Sequence, residues 1–176
     1  MRKFRILLLI LASAACTLGA QAAGSEIGTL MERARDLFDY GRWSDARHEF
    51  LRAKAALTPS DRLLAQEVEF YLAACAVELG SADAEGALRE FDERYPGSVY
   101  ANDVRFALGS FYCSAGNMKK AREAFEKTDY RALSAPRREQ YDIRMGYVEF
   151  GDGNYAKAYG YFDRIGSRSE YVDHAR

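Results

Sequence analysis

The sequence predicts an all-α protein, a right-handed α-solenoid of about four helix–turn–helix repeats. Three observations lead to this prediction: a pattern of glycine, alanine and phenylalanine recurs along the chain, a small residue precedes each copy, and the three prolines fall between copies. The chain has 176 residues, of which 48% are hydrophobic and 29% charged. This composition is ordinary for a soluble globular protein and excludes a disordered chain or a multi-span membrane protein.

The recurring pattern consists of a glycine, an alanine and, four residues after the alanine, a phenylalanine. The copies are Gly41, Ala46 and Phe50; Gly80, Ala87 and Phe91; Gly116, Ala121 and Phe125; and Gly153, Ala158 and Phe162. The second copy has two extra residues between its glycine and its alanine, and the phenylalanines are 41, 34 and 37 residues apart. Periods of this length are typical of helical repeat proteins.

Each residue type that recurs in the pattern has a physical role in a helical hairpin. Small residues at Ala34, Ala73, Gly109 and Gly146 in the first helices, and the pattern alanines in the second helices, allow close approach. The phenylalanines fill the space between neighbouring repeats, and stacking covers the apolar face that one hairpin alone leaves open. The pattern glycines suit a helix C-terminus with positive φ.

The prolines divide the chain in the same way. Pro59, Pro96 and Pro136 fall between repeats, where helices are expected to stop. Ser44, Asp45 and Ser98 are candidate helix caps. The predicted helices cover residues near 26–40, 44–57, 61–79, 84–94, 99–115, 118–128, 137–150 and 155–164.

The third copy has the most complete pattern. It runs from Leu108-Gly109 through Tyr112 and Gly116 to Ala121 and Phe125. This arrangement resembles the tetratricopeptide repeat, which has a leucine-glycine, a tyrosine, an alanine and a phenylalanine in a helix–turn–helix. The resemblance extends over nearly all of residues 26–176. It is looser in the first two copies, where alanine replaces the first glycine.

One junction between repeats indicates a subgroup of this family. Tyr95-Pro96-Gly97-Ser98, directly after an alanine–phenylalanine helix, is similar to the exported bacterial subgroup of these repeats. That subgroup includes BamD-like outer-membrane assembly lipoproteins and YbgF-like periplasmic partners of the Tol–Pal envelope system. The resemblance implies a location in the periplasm or cell envelope.

Residues 1–22 are predicted to be a secretory signal peptide. A basic start, residues 1–5, is followed by an apolar run from Ile6 to Ala15 and by the small residues of Ala20-Gln21-Ala22. We expect cleavage after Ala22, because the apolar run is shorter than the roughly 18 residues that a membrane-spanning helix needs. The mature solenoid is then residues 23–176, without a membrane span.

Cys16 leaves a second interpretation of this segment open. A cysteine after small residues at the end of an apolar run resembles a bacterial lipoprotein site, which would attach the chain to the outer membrane. Ser13-Ala14-Ala15 departs from the lipoprotein pattern, which prefers an aliphatic residue three positions before the cysteine. Labelling with a fatty acid would distinguish lipidation from plain cleavage.

Neither the net charge nor the reactive residues indicate nucleic-acid binding or catalysis. Loss of Arg2, Lys3 and Arg5 from the 25 basic residues leaves 22 against 26 acidic residues, a net charge near −4, which is not typical of a nucleic-acid binder. His48 lacks a second histidine four residues on, and Cys75 and Cys113 lack metal-ligand spacing. The two thiols are expected to be buried and free, although export would permit a disulfide. We expect no enzyme activity, cofactor or metal.

The resemblance also implies a binding groove. In this family the first helices of the repeats line the concave side. The matching positions here are Met31, Phe38, Phe70, Val77, Phe106, Ile143, Tyr147 and Phe150, with Cys113 also on this face and scattered polarity from Arg35, Asp103 and Gln140. An exposed apolar and aromatic stripe would favour a protein segment as ligand. The alternative is that many of these residues form the interhelical core.

The C-terminal residues predict the start of a fifth repeat. Ser169, Tyr171, Asp173 and Arg176 echo Ser98, Tyr100, Asp103 and Arg105, with the aspartate shifted by one position. Since terminal repeats usually carry a polar capping helix, the expectation is that the sequence stops inside a repeat of a longer protein. The alternative is a frayed tail.

The function predicted from the sequence is a non-catalytic scaffold in the periplasm or cell envelope that binds a protein or peptide in its groove. The alternatives are a lipid-anchored outer-membrane assembly factor, an adaptor part of a longer protein with activity beyond residue 176, and a binder of cell-wall glycan.

Overall fold

The computed structural model describes residues 26–165, and this part of the chain is all-α, without a strand. The first helix, α1, covers residues 26–39. The following helices are α2 (Trp43–Ala56), α3 (Arg62–Glu78), α4 (Ala84–Arg94), α5 (Ala101–Ser114), α6 (Met118–Glu126), α7 (Ala135–Gly151) and α8 (Tyr155–Phe162), with a short 3₁₀ helix at Tyr130–Ala132 between α6 and α7.

The observed helices agree with the predicted ones to within two residues at each end, and two details differ. The 3₁₀ helix was not expected from the sequence. Pro136 was expected between helices, but it lies in the first turn of α7, where its missing N–H costs no hydrogen bond. Ser44 and Asp45 lie inside α2 and make no side-chain cap, whereas Asn117 caps α6 by accepting a hydrogen bond from the Lys120 N–H at 3.1 Å.

The chain divides into two compact units, Met1–Leu79 and Gly80–Arg176. In the described part of the first unit, α1, α2 and α3 enclose an apolar core. Phe50 is fully buried there and stacks on Tyr71 with the ring centroids 4.8 Å apart. The pattern phenylalanine of α2 therefore fills the space against the next helix, as the sequence predicts.

The second unit contains α4 to α8. Each of these helices packs on the next, and α5 also contacts α7. Phe125 of α6 is fully buried, and its ring meets Tyr141 of α7 edge-on at 5.1 Å. The Phe125 side chain thus fills the space between consecutive helices in the second unit as Phe50 does in the first.

Three of the turns between paired helices share one hydrogen-bond geometry. Gly41, Gly80, Gly116 and Gly153 are the glycines with positive φ among the described residues. At Gly116 the glycine N–H donates to the Cys113 carbonyl at 3.0 Å, and the next N–H, of Asn117, donates to the Tyr112 carbonyl at 2.8 Å. The turns at Gly41 and Gly153 have the same two bonds. This is the Schellman motif, in which a left-handed residue closes the helix.

Two glycines inside helices allow the close approach that the pattern predicts. A Cβ on Gly109 would lie 2.5 Å from Cε1 of Phe125, and a Cβ on Gly146 would lie 2.6 Å from Cζ of Phe162. Both distances are shorter than carbon–carbon contact. Each ring therefore lies directly on the backbone of the preceding helix.

Charged groups connect neighbouring helices of the second unit. Arg105 of α5 donates to Asp92 of α4 at 2.7 Å, and Arg122 of α6 pairs with the buried Glu149 of α7. Burial favours a higher pKa for Glu149, but the hydrogen bonds from Arg122 and Asn154 outweigh it and hold the pKa below its ordinary value.

A second buried carboxylate connects the 3₁₀ helix and the end of α8 to α7. Asp142 accepts hydrogen bonds from the Tyr130 hydroxyl at 2.6 Å and from Arg164 at 3.1 Å. Burial raises the pKa of Asp142, against the opposing effect of these two partners. The polar groups between helices are therefore satisfied; among the described residues, no buried side-chain nitrogen or oxygen lacks a hydrogen-bond partner.

Candidate partner-binding surface

The four predicted groove residues of the first unit are largely covered. Met31 is buried in the apolar core. Phe38 and Phe70 are half-buried, and each places its ring edge-on against Tyr71, at 5.3 and 5.2 Å. Val77 is also half-buried. In this unit the predicted stripe serves helix packing.

The four predicted residues of the second unit divide into two groups. Phe106 and Ile143 are buried, and the Phe106 ring contacts Phe125 at 6.0 Å. Tyr147 and Phe150 are exposed. Met31, Phe106 and Ile143 thus pack in the core of the described region, as the alternative interpretation of the stripe expects.

Four exposed aromatic side chains, which we term the aromatic patch, lie on α7 and α8: Tyr147, Phe150, Tyr155 and Tyr159. Their exposed fractions are 45%, 57%, 64% and 69%. Phe150 meets Tyr155 edge-on at 5.3 Å across the α7–α8 turn, and Tyr147 meets the half-buried Phe162 at 5.6 Å. Phe150 and Tyr155 are thus held by each other and Tyr147 by Phe162, while all four patch side chains stay exposed.

The sequence analysis missed the two exposed tyrosines of α8. Tyr155 and Tyr159 are four residues apart and exposed, whereas Ala158 is buried. In α6 the residue that follows the pattern alanine is Arg122, which reaches the next helix. Tyr159 follows the pattern alanine of α8, so alignment of α8 with α6 could have singled out Tyr159; Tyr155 matches Met118 and has no such signal.

A polar strip borders the aromatic patch on α7. Gln140, Arg144 and Tyr147 follow one another at intervals of four and three residues, so they share a face. Arg144 is half-buried, and its guanidinium Nη1 lies 3.5 Å from Oε1 of Gln140. Across from it on α5 lies Cys113. Burial raises the pKa of the Cys113 thiol, and the positive charge of Arg144 acts against this rise.

The two cysteines and the histidine within residues 26–165 are the next side chains with reactive groups. Both described cysteines are free; Cys75 is buried and Cys113 half-buried. Burial raises the pKa of Cys75 to about 11, so this thiol stays protonated near neutral pH. His48 is exposed on α2. Within residues 26–165, no group of three or more histidine, cysteine or acidic side chains could hold a metal ion.

Some predictions concern residues outside the described range. The signal peptide at residues 1–22, lipidation of Cys16 and the fifth repeat around Ser169 to Arg176 all lie there. Between residues 26 and 165, no helix has both the length and the apolar character needed to cross a membrane.

No protein-family model, curated protein or solved structure matches this chain. The tetratricopeptide resemblance therefore rests only on the residues of this chain and their spacing.

Proposed function

We propose that this protein is a non-catalytic interaction scaffold of tetratricopeptide-like hairpins, exported to the periplasm or cell envelope, and that it binds a segment of a protein partner through the aromatic patch. The proposal narrows the groove expected from the sequence to the second unit. Tyr147 and Phe150 remain in it, and Tyr155 and Tyr159 are added.

The proposal of tetratricopeptide-like hairpins is supported by details that recur from one helix pair to the next. The α5–α6 and α7–α8 pairs each have a glycine under the ring of the pattern phenylalanine. Three of the turns close with the same two hydrogen bonds. Such recurrence follows when each pair repeats one packing solution. These local features support the proposed solenoid.

The observation that carries the binding proposal is the exposure of the aromatic patch. The pattern phenylalanines Phe50, Phe91 and Phe125 are fully buried, whereas the four rings of the patch keep about half or more of their surface open. Exposed aromatic rings clustered on two helices are a common feature of protein interaction sites, where tyrosine supplies contact area at low conformational cost. The contacts of Phe150 with Tyr155 and of Tyr147 with Phe162 order three of the four rings before a partner arrives.

Removal of one aromatic ring of the patch is expected to weaken binding of the partner. A photo-crosslinking amino acid at position 159 should capture one dominant envelope protein in cells, and Tyr147→Ala should weaken binding of that protein by roughly tenfold or more, because hot-spot aromatics dominate interfaces. The measurement is the yield of the adduct, followed by titration with the purified partner. Tyr40→Ala is the matched control, since Tyr40 is even more exposed but lies in the first unit.

Equal loss in the Tyr40 and Tyr147 variants would contradict a specific role for the patch. Absence of any protein adduct, together with retention of the chain on cell-wall glycan in a pull-down, would instead support the glycan-binding alternative, because aromatic rings also stack on sugars. Retention that survives Tyr147→Ala and Tyr159→Ala would exclude the patch from either function.

A further inference from the structure

Arg144 differs from the arginines that reach across helices in the second unit. Those arginines end on carboxylates: Arg105 on Asp92, Arg122 on Glu149, Arg137 on Asp103 and Arg164 on Asp142. Arg144 has instead one long contact, 3.5 Å, to the amide oxygen of Gln140 on its own helix. Among residues 26–165 it has no carboxylate within ion-pair distance.

On the facing helix α5, Ser110 and Ser114 donate their hydroxyls to the carbonyls of Phe106 and Ser110 in their own helix, at 2.9 and 3.2 Å, and neither hydroxyl is bonded to Arg144. The nearby Cys113 thiol is a weak acceptor. A guanidinium has five N–H donors, so most of the hydrogen-bonding capacity of Arg144 is unused by the described residues.

The charge of Arg144 lies partly covered and next to the aromatic patch. Arg144 is half-buried, so its charge is better shielded from salt than that of a fully exposed arginine. It lies one helical turn before Tyr147, at the edge of the aromatic patch. A planar guanidinium with free N–H groups is suited to bind a carboxylate by donating two parallel hydrogen bonds to it.

We propose that Arg144 selects partner segments that carry an aspartate or glutamate side chain next to an apolar residue, the carboxylate pairing with Arg144 while the apolar residue packs on Tyr147. This inference rests on the proposed function. It adds the chemistry of the partner: an acidic and apolar protein segment. One helical turn along α7 is about 5 Å, so the two partner side chains are about one helical turn, or two extended residues, apart.

The test is selection of a random peptide library on the full chain, with variants at Arg144, Tyr147 and Arg89 for comparison. Peptides selected by the unmodified chain should be enriched in aspartate or glutamate near an aromatic or aliphatic residue. Their binding should weaken roughly tenfold in Arg144→Gln, as expected for loss of a charge-assisted hydrogen bond, and by less in Arg144→Lys, which keeps the charge but loses the two-bond geometry. Arg144→Glu should select basic peptides instead. Arg89→Gln, which removes an exposed pair with Glu93, is the matched control and should leave binding unchanged.

The outcomes separate this inference from the proposed function. Peptides that depend on Tyr147 but bind Arg144→Gln as tightly as the unmodified chain would overturn the acidic preference and leave the aromatic patch intact as a binding site. Peptides that ignore both Tyr147→Ala and Arg144→Gln, or failure to select any peptide, would overturn both. Thermal unfolding of each variant checks that the fold is retained, so a loss of binding cannot arise from unfolding.

Discussion

Replacing Gly109 with alanine is expected to destabilise the second unit by about 3 kcal/mol. The added Cβ would lie 2.5, 2.6 and 2.8 Å from three ring atoms of Phe125, and this ring is fully buried. The ring cannot simply move aside, because Phe106 and Tyr141 pack against it. Overpacking of a closed core costs about 1–3 kcal/mol and occasionally more. Urea unfolding followed by circular dichroism measures the change, and hydrogen exchange in α5 and α6 locates it.

Gly86→Ala is the matched control. Gly86 also lies inside a helix, but a Cβ there would meet nothing within 4 Å. Alanine should stabilise that helix by about 0.5–1 kcal/mol, because glycine loses more backbone entropy on folding. Opposite signs for the two glycine-to-alanine changes would follow only from the Phe125 contact. A similar small stabilisation at both positions would contradict the close approach.

A double variant tests the mechanism directly. Phe125→Leu shortens the side chain that would collide with the new methyl group. The cost of Gly109→Ala should therefore be smaller in the Phe125→Leu background than in the unmodified chain. The coupling between the two changes is expected to be about 1–2 kcal/mol, within the range seen for residues in contact. Strict additivity would mean that the destabilisation has another origin.

Loss of the Arg122–Glu149 pair is expected to have the second-largest effect. The Glu149 side chain is almost completely buried, and Arg122 covers it while also donating to Asp152 at 2.6 Å. Arg122→Met would leave the Glu149 carboxylate with Asn154, whose amide lies 2.9 Å away, as its remaining partner. Removing one partner of a buried pair leaves an uncompensated charge, so we expect a loss of about 2–3 kcal/mol at pH 7. Urea unfolding of both chains measures it.

The same variant makes a prediction about pH. In the unmodified chain Arg122 and Asn154 hold the pKa of Glu149 below its ordinary value of 4.5, so its stabilising contribution is present above that value and is lost as pH falls through the folded-state pKa. In Arg122→Met the burial of Glu149 acts without the cation, and its folded-state pKa should rise. Protonation then favours the folded state as pH falls. The difference in stability between the two chains should therefore shrink below about pH 5.

Arg89→Met serves as the control for this ion pair. Arg89 and Glu93 form an exposed pair on α4 with a separation of 3.3 Å, and such pairs contribute about 0.2–1 kcal/mol. The expected loss is therefore small, and salt should reduce it further. If the Arg89 and Arg122 variants lose equal stability at pH 7, or if the difference at Arg122 is unchanged at pH 4, the buried pair does not act as described.

The repeating helices could be predicted from local signals in the sequence. Gly41, Gly116 and Gly153 mark helix ends because only glycine adopts a positive φ without steric cost, and all three lie in that conformation. Gly109 and Phe125 are 16 residues apart, which brings the small residue of one helix under the ring of the next. Pro136 shows the limit of such reasoning, since proline either follows a helix or begins one.

The binding surface could be predicted only in part. Phe106 and Tyr147 both lie on first helices of repeats, and their residue types suggest the same apolar role. Phe106 is buried and Tyr147 is not. The difference depends on the neighbouring elements: Arg137 of α7 lies over the Phe106 ring at 5.8 Å, whereas Tyr147 places its ring edge-on against the half-buried Phe162 and stays 45% exposed. The exposure of a side chain depends on the elements that pack against it. The local sequence pattern does not encode these elements.

The sequence by itself determined the helices, their turns and the small-against-large contacts, because each depends on residues close together along the chain. Tertiary structure alone decided which aromatic rings face solvent and which arginines reach a carboxylate on another helix. Arg122 and Glu149 are 27 residues apart, and nothing in the sequence distinguishes Arg122 from Arg144. Their partners are set by the register between packed helices, and burial then makes a paired charge stabilise the fold and leaves an unpaired one available to a ligand.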